Sequence, residues 1–216
     1  MLKKNYDFIM KQIDYAIKVA WLQDISHDYE ESSILKEDSL KNALYYHLRR
    51  RLDSLLHMEN IRIYTEYNES SLKSNNMRAD IAIVELDSKS DEYYLGNRVS
   101  KVLAIIELKF QPNGSANASY IAQDVQKIKS YKSVKELDNC QYYLGFIHEH
   151  SYCERSCWLD RRQTSKWANG CVTELDACRY DGFKENQMAF SVYSYNRLNS
   201  ELNTGCLEDM VYVSMI

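Results

Sequence analysis

The sequence predicts a single domain of the mixed α/β (α+β) class, with helices packed against a sheet of mixed strand direction. Residues 78–84 and 102–110 are short runs rich in aliphatic and β-branched residues, which is typical of core strands rather than core helices. An amphipathic segment joins the second run to another apolar strand at residues 141–148, and such a strand–helix–strand crossover is expected to be parallel and right-handed. The 216 residues, 45% of them apolar, favour one elaborated domain over two.

Two amphipathic helices are predicted before the first strand. Residues 6–23 carry apolar side chains at helical spacing, and the polar residues 24–32 are expected to form a connection. Residues 33–56 form the second predicted helix, with Ser33 as its N-cap. Its apolar stripe is formed by four leucines: Leu40, Leu44, Leu48 and Leu55.

The strands are predicted to begin as a three-stranded meander. Residues 61–67 alternate as a strand and are expected to form an antiparallel hairpin with the strand at 78–84. A polar segment then reverses the chain into the strand at 102–110. A helix over about 119–137 leads to the strand at 141–148, which completes an αβββαβ order.

The C-terminal part of the chain predicts a helix at 158–168 and two strands, at 188–195 and 210–215. Arg161 and Arg162 lie on this helix. The pattern fits either a surface that faces nucleic acid or a helix packed through its tryptophans with solvated arginines, and the sequence leaves both interpretations open.

The composition indicates in which compartment the protein is expected and which classes of partner it favours. The net charge of −4 argues against a polybasic nucleic-acid coat protein, although a metal-dependent nuclease needs only a local basic surface. The six cysteines include no CxxC pair, so a zinc site is not expected, and the N-terminal residues resemble neither a signal peptide nor a membrane span. We therefore expect a soluble, cytoplasmic protein without a membrane partner. The 18 tyrosines indicate either amphipathic surface packing or base stacking.

Charged residues at the ends of core strands form the first candidate site. Along the third strand, strict alternation places Leu103 on the same face as Glu107 and Lys109. A charged side chain buried at the end of a strand is costly unless it is paired or bound to metal. The same argument applies to Asp80 in the neighbouring strand. These acids and the lysine are therefore a candidate metal site.

Three helical features leave two interpretations each. Glu37 is either an exposed acid favoured by the helix dipole in the first turn or a carboxylate directed at the site. Asp124 and Lys127 are either a helical surface pair or part of the site. The far end of the second helix is either a solvated terminus or a phosphate-contacting patch, and it consists of Arg49, Arg50 and Arg51.

The motif Arg78-Ala-Asp80, followed after a gap of 26 residues by Glu107-Leu-Lys109, resembles the PD-(D/E)XK phosphodiesterase superfamily, the fold of many restriction endonucleases and related nucleases. The order of the flanking elements is similar too, with the helix that carries Glu37 before the strands. The resemblance covers residues 33–148. It departs from the superfamily pattern in that Ala79 replaces the proline and the gap between the two acids is long.

The resemblance implies a restriction-endonuclease-like core at 33–148, with an N-terminal helix at 1–32 and C-terminal helices and strands at 149–216. It implies a Mg²⁺-dependent nuclease that acts on nucleic acid, with DNA favoured over RNA. Mn²⁺ could replace Mg²⁺, and no organic cofactor is implied. A homodimer would let two sites cut two strands, although the sequence demonstrates no interface. The alternative is a non-catalytic binding module on the same fold, acting as an adaptor, inhibitor or sensor.

The resemblance also assigns roles to residues. Asp80, Glu107 and Glu37 would hold the metal, and Lys109 would orient or deprotonate the attacking water, its pKa lowered by burial and a nearby cation. Residues of the following helix would support the site or touch a backbone phosphate: Gln123, Asp124 and Lys127. The weaker candidates for contact with nucleic acid are the arginines already named: Arg49, Arg50, Arg51, Arg161 and Arg162.

Overall fold

One five-stranded mixed sheet organises the computed structural model, which describes residues 3–69, 71–111, 118–149 and 188–195. The strands are β1 Ile61–Tyr67, β2 Ala79–Leu86, β3 Val99–Gln111, β4 Gln141–Glu149 and β5 Met188–Tyr195. They lie in the sheet in chain order. The pairs β1–β2, β2–β3 and β4–β5 are antiparallel, whereas β3–β4 is parallel, so the predicted meander and the parallel direction of the crossover are confirmed.

The helices are α1 Lys3–Val19, α2 Ser26–Glu30, α3 Glu37–Arg51, α4 Asp53–Met58, α5 Ser71–Ser74 and α6 Ala118–Lys132, with a π-helical segment at Ala20–Ile25 and 3₁₀ turns at Leu95–Arg98 and Lys135–Leu137. The first core lies between α1, α3 and one sheet face and includes Ile13, Leu44 and Ile106. The second lies between α6 and the other face and includes Ile105 and Ile128. The sheet is therefore covered on both faces.

The connection predicted at 24–32 is wrong, because the chain stays helical to Glu30. Trp21, Ile25 and Tyr29 are spaced four residues apart and all three are buried, so they extend the apolar stripe of α1 through a polar stretch of sequence.

The second helix begins at Glu37, so Ser33 is not its N-cap. Ser39 serves this end instead: its hydroxyl accepts the N–H groups of Leu35 and Lys36 and donates to the Lys36 carbonyl. The helix also breaks at Leu52, which shifts the buried stripe. Leu40, Leu44 and Leu48 are buried as predicted, and the next buried leucines are Leu52 and Leu56.

A β-bulge in β3 overturns part of the predicted face alternation. Ile83 pairs with Ala104 and Val84 with Val102, so Leu103 is the extra residue. Leu103 therefore packs in the first core, on the face opposite Glu107, while Val102 packs in the second core. A bulge adds one residue and reverses the alternation beyond it.

Among the described helices, none combines the length and the apolar character that crossing a membrane requires. The helix predicted at 158–168, the strand predicted at 210–215, and Arg161 and Arg162 lie outside the described residues. The described part also contains one free cysteine, the buried Cys140.

Gly145 of β4 should be intolerant of any side chain. A Cβ at this position would lie 2.6 Å from Trp21 Cζ3 and 3.1 Å from Leu108 Cδ2, inside the core between sheet and helix. We expect Gly145→Ala to lower the free energy of unfolding by roughly 1–3 kcal/mol, the usual effect of overpacking, as measured by urea denaturation. The same change in a Trp21→Leu background should cost clearly less. Additive effects of the two substitutions would contradict this contact.

Candidate active site

The candidate site lies where β2 begins and β3 ends. Ile81 pairs with Ile106, so Asp80 and Glu107 are the next residues on the two strands. Helix α3 approaches this edge with its first residue, and α6 approaches from the other sheet face. The topology therefore brings side chains that are distant in sequence to one edge of the sheet.

Asp80 is fixed by the backbone of the neighbouring strand. Its Oδ2 accepts the N–H of Leu108 at 2.8 Å, and the side chain is half-buried. This bond orients the carboxylate beside Glu107, because residues that face each other across antiparallel strands lie about 5 Å apart.

Glu107 is fully buried, with an exposed fraction of 0%. Its Oε2 lies 2.5 Å from Lys127 Nζ, and its Oε1 lies 2.7 Å from the Tyr131 hydroxyl, both contributed by α6. Burial raises the pKa of Glu107 to about 8, and the nearby Asp80 adds to this, although Lys127 opposes it. Burial and the proximity of Glu107 also raise the pKa of Tyr131.

The hydrogen bonds of Tyr131 explain how a protonated Glu107 fits this place. The Tyr131 hydroxyl lies 2.7 Å from Glu107 Oε1 and also 2.7 Å from the carbonyl oxygen of Arg78. The phenol has one proton, so it can donate to one of these acceptors at a time. A proton on Glu107 can be donated to the phenol oxygen while Tyr131 donates to Arg78, and all three groups are then satisfied.

Lys109 joins the two helices at this edge. Its ammonium lies 3.1 Å from Glu37 Oε2 on α3 and 3.7 Å from Asp124 Oδ2 on α6. Burial alone would lower the pKa of Lys109, but Asp124, Glu37 and Asp80 outweigh it, so the pKa is raised. In the free protein the carboxylates near Lys109 therefore outweigh the effect of burial, and the lowering expected from a bound cation stays a prediction.

Asp124 is the least satisfied polar side chain of the group. Its Oδ2 is buried and has no hydrogen-bond partner among the described residues, and its contact with Lys109 is an ion pair at 3.7 Å. Burial raises the pKa of Asp124 to about 6, against the opposing effects of Lys109 and Lys127.

A second charged cluster beside the site was not predicted. Lys41, one turn after Glu37 on α3, is mostly buried and ion-paired with Glu66. Arg78 Nε lies 3.0 Å from the other oxygen of Glu66. Burial would lower the pKa of Lys41, but the interactions with Glu66 and Asp80 outweigh burial. The pKa is therefore raised, and Lys41 remains protonated. Lys41 follows Glu37 by four residues on α3, and Tyr131 follows Lys127 by four residues on α6. This helical spacing is the signal in the sequence that could have identified Lys41 and Tyr131.

The structure brings together six of the predicted residues: Glu37, Asp80, Glu107, Lys109, Asp124 and Lys127. Glu37 therefore combines both interpretations, since it begins the helix and contacts Lys109. Gln123 is exposed on α6.

The arginines of α3 lie away from this group, because twelve helical residues separate Glu37 from Arg49 by about 18 Å. Arg49 and Arg50 cover the rings of Tyr45 and Tyr46. Arg51 binds Asp24 through two nitrogens, at 2.5 and 2.8 Å.

Asp80 and Glu107 provide carboxylate oxygens, which Mg²⁺ prefers as ligands, but the groups that now bind these oxygens would compete with the metal. The described residues include no group of three or more His, Cys, Asp or Glu side chains that could hold a metal ion. Mg²⁺ is often held by only one or two carboxylates and several waters, which Asp80 and Glu107 could supply. Both oxygens of Glu107 are already hydrogen-bonded, so a metal at this carboxylate would compete with Lys127, whose side chain is 37% exposed and can turn outward.

Comparison of the chain with protein-family models, with curated proteins and with solved structures finds no match.

The buried carboxyl of Glu107 should make stability depend on pH. A glutamate whose pKa is raised from 4.5 to about 8 holds a proton in the folded state that the unfolded chain has lost, so its stabilising effect disappears as the pH rises through about 8. We expect the free energy of unfolding of the wild type to fall by roughly 2 kcal/mol between pH 6 and 8, and Glu107→Gln to remove most of this fall.

The measurement is urea denaturation at a series of pH values. The window above pH 6 avoids Asp124, whose raised pKa of about 6 contributes in the same direction at lower pH. Glu136→Gln, at an exposed glutamate, is the matched control and should retain the wild-type slope. Equal slopes in the wild type and Glu107→Gln would mean that Glu107 is ionised in the folded protein.

Proposed function

We propose that this chain is a Mg²⁺-dependent nuclease with a restriction-endonuclease-like core, hydrolysing phosphodiester bonds in DNA rather than RNA. Apart from the short helices α4 and α5, the elements follow in the order α3-β1-β2-β3-α6-β4, which supports the proposed core because the motif resemblance implies the order αβββαβ. The preference for DNA rests on that resemblance.

The observation that carries the proposal is the convergence of Glu37, Asp80, Glu107 and Lys109 at one strand end. Lys109 and Glu37 are 72 residues apart in sequence, and their charged groups lie 3.1 Å apart. A structural ion pair would explain one such contact. It would not explain the further acids, Asp80 and Asp124, placed around the same lysine.

The charge of the cluster also supports a divalent cation as cofactor. Four carboxylates surround two ammonium groups: Glu37, Asp80, Glu107 and Asp124 around Lys109 and Lys127. Burial is the main cause of the raised pKa values of Glu107 and Asp124, and the neighbouring carboxylates add to it, so a bound cation would favour the ionised forms of both side chains. Mg²⁺, held by Asp80 and Glu107, would neutralise charge on a phosphoryl oxygen and make an attacking water more acidic.

The protein groups then have defined tasks. Asp80 is held in position by Leu108 N–H, and Glu37 and Asp124 hold the Lys109 ammonium between them. Because these carboxylates keep Lys109 protonated, its task is that of a cation that orients a water or stabilises charge on the phosphate. Lys127, once released from Glu107, can contact a backbone phosphate.

A non-catalytic binding module is the second candidate. The observation in its favour is that both oxygens of Glu107 already have partners, Lys127 and Tyr131. Titration with Mg²⁺ separates the two candidates: saturable binding that Asp80→Ala removes favours the nuclease, and absence of binding favours the module.

We expect Mg²⁺-dependent cleavage that Glu107→Ala and Lys109→Ala reduce by at least a hundredfold, since each removes a group that contacts the metal or the reacting atoms. The assay compares supercoiled, linear and single-stranded DNA and RNA, in Mg²⁺ and in EDTA. Lys135→Ala, at an exposed lysine after α6, is the control for loss of one positive charge. Wild-type rates in Lys109→Ala would exclude its assigned role, and cleavage in EDTA would exclude the metal.

Arg49 and Arg50 should contribute to the affinity for DNA through phosphate contacts. We expect the double variant Arg49→Gln/Arg50→Gln to weaken binding uniformly across sequences and to reduce the slope of log K against log salt by about 1–2. Arg51→Gln removes the same kind of charge, but Arg51 is bound to Asp24, so its slope should change less. A slope identical to that of the wild type in the double variant would remove this surface from the interface.

A further inference from the structure

A cavity of about 240 Å³ lies between the C-terminal half of β1 and the segment 94–99 that leads into β3. Its aromatic walls are Tyr64, Tyr67 and Tyr94. The rings of Tyr64 and Tyr67 are nearly parallel, at 14°, with their centroids 6.0 Å apart. Three of the ten lining residues are aromatic and four are polar, and pockets that combine aromatic side chains with a few polar groups are typical of ligand sites.

The third wall of the cavity is held in place by specific contacts. The Tyr94 hydroxyl donates to Glu69 Oε1 at 2.7 Å, and the ring remains half-exposed. Gly96 lies against this ring, since a Cβ there would be 2.6 Å from Tyr94 Cε1. The absence of a side chain at Gly96 therefore allows the loop to present the Tyr94 ring at the cavity.

Polar groups in the cavity wall can recognise the edge of a planar ligand. Thr65, Glu66 and Asn68 line it and provide both donors and acceptors. A nucleobase needs the same combination: an aromatic surface for its face, and hydrogen-bonding groups for its Watson–Crick edge.

The cavity adjoins the candidate active site through Glu66. Thr65 pairs with Ile81 and Tyr67 with Ala79, so Glu66 stands opposite Asp80 on the neighbouring strand. Glu66 has a φ of 51°, in the left-handed region that non-glycine residues rarely adopt, and such conformations cluster at functional sites. The residue thus lines the cavity while its carboxylate binds Lys41 and Arg78.

We propose that this cavity is a nucleobase pocket that takes one unstacked base of the strand whose phosphate lies at Asp80 and Glu107. The proposal rests on the proposed nuclease function and specifies its substrate class. A base inside a duplex is stacked on both faces and cannot reach the cavity, so the strand bound here is single-stranded or has one nucleotide flipped out. Lys41 and Arg78 provide positive charge between the pocket and the reacting phosphate.

The test is the affinity for a fluorescently labelled single-stranded oligodeoxynucleotide, measured by anisotropy in EDTA so that no turnover occurs. A second set of strands carries one abasic tetrahydrofuran residue, moved along the strand. We expect the wild type to lose affinity on the order of tenfold when the abasic residue occupies the pocket position, the usual size of one base–aromatic stack. Tyr94→Ala should lose a similar factor on the intact strand and respond little to the abasic residue.

Two variants control for other effects of the substitution. Tyr94→Phe keeps the ring but loses the bond to Glu69, so it should bind more tightly than Tyr94→Ala and should still lose affinity when the abasic residue occupies the pocket position. Tyr93→Ala removes the adjacent, fully exposed tyrosine, which is not part of the cavity wall, and should bind like the wild type.

The outcomes for the pocket and for the nuclease are distinct. Three results would overturn the pocket. Tyr94→Ala and Tyr94→Phe could have equal affinities, the abasic strand could bind as well as the intact strand at every position, or no strand could bind at all. Tyr94-dependent binding together with no cleavage in Mg²⁺ would support the pocket and overturn the proposed nuclease.

Discussion

The burial of the Glu107 carboxyl at the end of β3 is the constraint on which the site depends. A carboxyl group removed from water needs partners for both oxygens, and α6 supplies them through Lys127 and Tyr131. These partners can reach Glu107 because α6 is the crossover between two parallel neighbours, β3 and β4, and therefore lies across that face of the sheet. The same helix contributes Ile128 to the second core, so one packing contact fixes both the fold and the site.

Lys109 is contacted by helices from both faces of the sheet. The bulge at Leu103 changes which side chains fill each core in the first half of β3, whereas beyond it the alternation is regular to the strand end. Near this end Lys109 extends past the packed layers and reaches Glu37 from one face and Asp124 from the other. A lysine, with its long flexible stem, suits a position that must be reached from two helices.

Local patterns in the sequence were sufficient for the strands and for the acidic motif. Alternation and turn chemistry predicted β1 to β4, and the charges at Asp80, Glu107 and Lys109 were conspicuous because apolar strands surround them. The features that were missed depend on partners distant in sequence. A bulge at Leu103 is defined by its pairing with β2, and the raised pKa of Lys109 is defined by carboxylates from three other elements. The contact of the Tyr131 hydroxyl with Glu107 likewise depends on how α6 packs against the sheet.

The protonation of Lys109 follows from the carboxylates around it, and this couples its chemistry to whatever neutralises them. Asp80 is among the groups that raise the pKa of Lys109, after Asp124 and Glu37. Any cation bound at Asp80 therefore removes part of the effect that keeps Lys109 protonated, while burial, which lowers the pKa, remains. The pKa of Lys109 would therefore be lower in the cation-bound protein than in the free protein. The same reasoning applies to Glu107, because a cation at its oxygens favours the carboxylate over the protonated acid that burial imposes. In both residues a bound cation would therefore shift the protonation equilibrium away from the state that the free protein favours.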